Sequence, residues 1–174
     1  KNISQPILEA WDVWLMINKD YDQADQFLRE ALQICRVIEN DPLTADVLRC
    51  LGHLRVAQLE KQRIDACDYY QQALRLALKQ ALAPIALDIF VGAAHLMTQF
   101  DHSSRTLALV TCAKHHPAST FETKEKSDQL WAELTAALPE NVVVSITEDN
   151  QISDWRALSR HLIEDLSAII PTDD

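Results

Sequence analysis

Six histidines, four cysteines and 26 carboxylates are the residues of this 174-residue chain that could do chemistry, and their spacing argues against most of it. His115 and His116, with His102 nearby, form the one local histidine cluster. Neighbours on a helix project about 100° apart and cannot share a metal ion, so a place near the helix C-terminal dipole is the better use. Cys35, Cys50, Cys67 and Cys112 fall at apolar helix positions with no CxxC pair, which suits core packing in a reducing compartment. The carboxylates are scattered as on solvated faces, and no Ser/His/Asp or Cys/His set is present. Two separated glycines, Gly52 and Gly92, cannot build a phosphate-cradling loop. We therefore expect no enzyme, no metal and no cofactor; His53 and His95 read as partly buried, hydrogen-bonded side chains.

Charge narrows the partners. A formal net charge of -10 disfavours a phosphate backbone, which is bound mainly by clustered lysine and arginine. From Pro139 onward eight acids face only Arg156 and Arg160, so the tail holds most of the excess. Neither a signal peptide nor an apolar run of about 18 residues is seen, which leads us to expect no membrane and a cytoplasmic protein. Lys1 in place of an initiating methionine suggests a piece of something longer.

The elements that must position these residues are helical. Apolar residues make up 48% and charged residues 24%, as in ordinary globular domains, and two glycines are too few for a turn-rich sheet protein. Periodicity of three and four predicts helices over 6–19, 21–38, 43–61, 64–81, 84–100, 103–115 and 119–138, and a last one after Ser153. Asp20 with Gln23, and Ser119 with Glu122, have the spacing of capping boxes. Asp41-Pro42 reads as an N-cap followed by the first helical residue, Gln62-Arg63 as a tight turn, and Asp101 or Ser103 as a cap. Residues 139–151 read as irregular, because the Val142-Val143-Val144 run has no strand to pair with. The stripe Ala24, Phe27, Leu28, Ala31, Leu32, Cys35 and Ile38 predicts one buried face. Trp155, Leu158, Leu162, Leu166 and Ile169 predict another, which must dock on the array or on a second chain.

Self-comparison reveals a period. Gly52 to Gly92 and Ala73 to Ala113 are each 40 residues, and Ala31 to Ala73 is 42. In this register Ala24, Ala66 and Thr106 align as small residues, with Leu28, Tyr70 and Val110 as larger ones four positions on. Small residues let helices approach closely and the larger ones fill the grooves so formed.

Leu51-Gly52, followed by Ala66, Tyr70 and Ala73, resembles the tetratricopeptide repeat in an extended variety, over roughly residues 11–138. Ala83-Pro84-Ile85-Ala86-Leu87, His115-His116-Pro117-Ala118 and Leu130-Trp131-Ala132-Glu133-Leu134 resemble the last repeats and cap of the C-terminal sensor regions of bacterial STAND-class signalling ATPases, including regulators similar to the maltose-regulon activator. The resemblance implies an all-α, right-handed superhelical array over 1–138, with hairpins at about 5–38, 43–81 and 84–115 and a capping helix at 119–138, followed by an acidic linker and docked helix over 139–174. It also implies a non-catalytic interaction or ligand-sensing module within a larger transcription-regulating ATPase.

In that family first helices line a concave groove. Carried over, the groove residues are Glu9, Val13 and Met16, then Asp46, Arg49, His53 and Val56, then Ile89, Ala93, Leu96 and Met97. Arg49 stands out because a guanidinium on a groove wall offers planar, bidentate donors to a partner carboxylate. The implied partner is a protein or peptide. A small-molecule sensor, and a self-associating scaffold that dimerises through the C-terminal helix, are the alternatives.

Overall fold

The computed structural model describes residues 21–58, 63–98, 103–136, 138–150 and 154–169. Among these every regular element is helical: α1 (Tyr21–Val37), α2 (Asp41–Ala57), α3 (Arg63–Gln80), α4 (Ala83–Met97), α5 (Ser103–His115), α6 (Phe121–Ala136), α7 (Glu140–Asn150) and α8 (Trp155–Ile169). The all-α expectation is met. The helix expected over 6–19, the Asp20 box, Gln62 and Asp101 lie outside the described residues.

Short, well-terminated connections force neighbouring helices together. Glu39 takes a left-handed φ of 52°, letting the Asn40 N–H reach back to the Cys35 carbonyl at 3.0 Å and close α1. Asn40 then caps α2, its side-chain oxygen accepting from the Leu43 N–H at 3.1 Å. The cap is thus Asn40, not Asp41. Asp41 is the first helical residue and instead binds Lys79 and Gln80 at 2.7 and 2.8 Å, fastening α2 to the end of α3. Ala81, at φ 55°, ends α3 in the same left-handed way before Pro84 opens α4.

Two further caps differ from expectation. Thr120, not Ser119, receives the Thr123 N–H at 3.1 Å, while the Ser119 hydroxyl donates to the Ala113 carbonyl and Glu122 pairs with Lys126. Residues 140–150 form a helix rather than an irregular stretch. A valine run weakens helix propensity, but packing of this segment on α5 supplies what local preference lacks.

Successive helices from α1 to α6 pack side by side, and α2 also meets α4 as α4 meets α6. The aligned positions Ala24, Ala66 and Thr106, and Leu28, Tyr70 and Val110, are all buried. The stripe on α1 is narrower than its sequence suggests: Ala24, Leu28, Leu32 and Cys35 are buried, but Phe27 and Ile38 are 45% and 58% exposed. The reason is that α2 is the principal neighbour of α1 among the described residues. All four cysteines are buried and none forms a disulfide.

Helix α8 lies mainly on α3, burying Trp155, Ser159, Leu162 and Leu166, with Leu158 and Ile169 packed beside them. Asp154 caps it by accepting from the Arg156 N–H at 2.9 Å, and Asp165 pairs with Arg105 of α5. Its apolar stripe is therefore covered within the chain. Among the described residues no helix is long and apolar enough to cross a membrane.

Candidate functional site

Asp46, Arg49 and His53 are spaced three and four apart, so α2 presents them in one row. Opposite them stands Asp88, one carboxylate in the otherwise apolar run from Pro84 to Leu87 and Ile89 to Ala94 of α4. Asp88 Oδ2 accepts from Arg49 Nη1 at 2.5 Å and His53 Nε2 at 2.8 Å, and its Oδ1 accepts from the Thr123 hydroxyl of α6 at 3.2 Å. Arg49 Nε also donates to Asp46 at 2.9 Å. One buried carboxylate thus joins α2, α4 and α6.

The row continues inward. His53 Nδ1 lies 2.8 Å from the Tyr70 hydroxyl of α3, and the two rings meet edge to face with centroids 5.5 Å apart. In the neutral imidazole, Nε2–H donated to ionised Asp88 leaves Nδ1 as the acceptor and the phenol as the donor. Room for this pair comes from the two glycines. A Cβ on Gly52 would fall 2.5 Å from Tyr70 Cδ1 and closer still to Cε1, and one on Gly92 would fall 2.6 Å from His53 Cε1 and Nδ1, and against the Tyr70 hydroxyl. Gly52 and Gly92 are therefore alike in purpose as well as in register: each lets a helix backbone close over Tyr70, and Gly92 over His53 as well.

The electrostatics follow from burial and pairing. Burial pushes the Asp88 carboxyl upward, but His53, by charge and hydrogen bond, and the Arg49 guanidinium outweigh it and hold the group well below the usual carboxylate range. Burial, reinforced by the Asp88 charge and opposed in part by Arg49, pushes the Tyr70 phenol well above its ordinary value. Although Asp88, His53 and Tyr70 are linked as in a proton relay, the terminal hydroxyl is sealed in the core and hard to ionise. The chain of bonds acts as a tie between helices rather than as an activated nucleophile.

The expected groove residues divide three ways. Asp46, Arg49 and His53 come together and keep a partial outlet to solvent, with side chains 19%, 12% and 24% exposed. Met97, with Ile89, Ala93 and Leu96, is core, because α4 is enclosed by α2, α3, α5 and α6. Glu9, Val13 and Met16 lie outside the described residues. Arg49 is spent on Asp46 and Asp88, so a partner carboxylate would have to displace one of them. The His95 side chain reaches solvent, but partial burial still lowers its pKa, and His116 Nδ1 accepts the Ala118 N–H at 3.1 Å, shaping the turn after α5. Among the described residues no group of three or more His, Cys, Asp or Glu side chains is placed to hold a metal ion. Sequence reasoning missed Asp88 and Thr123; the available signal was a lone carboxylate on a helix otherwise apolar all round.

Compared with protein families, with curated proteins and with solved structures, the chain finds no match.

Two outcomes follow for stability. Gly52→Ala forces a methyl group into a fully buried ring and lowers the unfolding free energy in urea by about 3 kcal/mol, despite alanine's better helix propensity. Tyr70→Leu in the same chain recovers part of that loss, and a simple sum of the two single effects would contradict the contact. Asp88→Asn removes the negative charge that Arg49 and His53 share and lowers stability at pH 7 by about 3–5 kcal/mol. Because the folded carboxyl titrates below the unfolded one, its contribution is complete above the ordinary range near about pH 4 and is lost as pH falls further. Urea titrations from neutral to acid pH should therefore show the gap between wild type and Asp88→Asn narrowing below about pH 4.

Proposed function

We propose that this chain is a non-catalytic interaction module, a tetratricopeptide-like stack of helix hairpins that binds a protein or peptide segment on the face of α2 that carries Asp46, Arg49 and His53. The observation that supports it is the position of α8. This helix lies chiefly on α3, and the row of Asp46, Arg49 and His53 on α2 keeps contact with solvent. The resemblance in sequence to the sensor regions of STAND-class regulators fits a role in relaying a binding event within a larger signalling protein.

The charge of this row selects the partner. With Arg49 held by two carboxylates, and Lys126 of α6 already on Glu122 at 2.6 Å, the local excess is negative, and Asp46 is the carboxylate of the α2 row that reaches solvent. A segment bearing lysine or arginine fits this face better than one bearing the carboxylate expected from Arg49 alone. Selection of a random displayed-peptide library against the wild-type chain should enrich basic segments. Asp46→Lys, at a part-exposed position, should keep the helical circular dichroism and weaken those peptides about tenfold or more, chiefly through a slower and less salt-dependent association. Peptides without a basic bias, or unchanged affinity in Asp46→Lys, would rule this surface out.

A further inference from the structure

A different face of α2, the one carrying Asp41, Thr44 and Leu48, borders an open cleft of about 590 Å³ between the end of α1 and the outer side of α3. This volume is in the range of small-molecule sites, about 300–1,000 Å³. Leu48 and Leu76 give it an apolar floor, and Arg36 of α1 with Arg75 and Lys79 of α3 give it a cationic wall. Glu39 and Asp41 also line it; Asp41 and Lys79 offset each other as a pair, which leaves Arg36 and Arg75 in excess over Glu39.

The two guanidiniums are what set the cleft apart. Arg29, Arg49, Arg55 and Arg105 each hold a carboxylate, as expected in a chain with 26 acidic and 16 basic residues. Arg36 and Arg75, from separate helices, instead donate to the neutral amide oxygens of Gln72 and Gln71 at 3.1 and 3.0 Å. Two guanidiniums anchored by neutral acceptors and converging on one cavity retain the charge and the spare N–H donors to grip an anion.

We propose that this cleft binds a small organic anion, its phosphate or carboxylate held between Arg36 and Arg75 and its apolar body laid on Leu48 and Leu76. The site is separate from the row of Asp46, Arg49 and His53 and would make the module responsive to a metabolite as well as to a protein partner.

Titration calorimetry with phenyl phosphate, benzoate and neutral phenol tests it. Saturable one-to-one binding of phenyl phosphate or benzoate, absent with phenol, is expected, and whichever probe binds identifies the head group. Arg36→Gln and Arg75→Gln, both at exposed positions, should leave the helical circular dichroism intact and weaken the bound probe about tenfold each. Asp46→Lys should leave it unchanged, so failure of the peptide-binding face and failure of this site read out separately. No saturation by either anion up to about 10 mM, equal binding of phenol, or undiminished binding in both arginine variants overturns the assignment.

Discussion

Tyr70 reaches its place between α2 and α4 only because neither helix carries a Cβ where the ring and its hydroxyl lie. The balance of energies favours that arrangement. An aromatic side chain removes about 150–250 Å² from water, worth about 4–6 kcal/mol, against about 1 kcal/mol for a glycine within a helix. The close approach then brings the Tyr70 hydroxyl onto His53, which would otherwise leave two buried polar groups unsatisfied. Packing and hydrogen bonding are thus one constraint: the glycines admit the ring, the ring positions the histidine, and the histidine turns its other nitrogen to Asp88.

Asp88 carries this constraint from the core to the surface. A lone carboxylate in an apolar helix would be strongly destabilising, and it is tolerated because Arg49, His53 and Thr123 converge on its two oxygens. The same convergence consumes the guanidinium that would otherwise mark the α2 face as a carboxylate receptor. The face that remains is acidic, which is why the partner we propose for it is basic. Elsewhere the relation is inverted, since Arg36 and Arg75 donate to neutral amides rather than to carboxylates beside an open cleft.

Much of this architecture was legible in the sequence because it rests on local rules. The periodic stripes of α3 and α8, the small residues at Ala24, Ala66 and Thr106, and Gly52 as a mark of close approach all follow from helix geometry and side-chain size. What could not be read depends on partners distant in the chain. Nothing near Arg49 announces that Asp88, 39 residues on, will occupy it. Phe27 and Ile38 have the spacing of buried residues, yet exposure depends on which neighbour lies alongside. The valines of α7 favour extended backbone locally and are overruled by packing on α5. Of the residues carried over from the repeat resemblance, Asp46, Arg49 and His53 share one face, whereas Met97 belongs to the core because α4 is enclosed by its neighbours.

A continuous chain of bonds from Tyr70 through His53 to Asp88 and Arg49 ties three helices together. Nitrogen-resolved NMR of the His53 ring at mildly alkaline pH observes it directly. The account predicts a single tautomer with the proton on Nε2, an unprotonated Nδ1, and a slowly exchanging Tyr70 hydroxyl proton coupled to that nitrogen. A proton on Nδ1, or rapid averaging between tautomers with no observable Tyr70 hydroxyl, would contradict it.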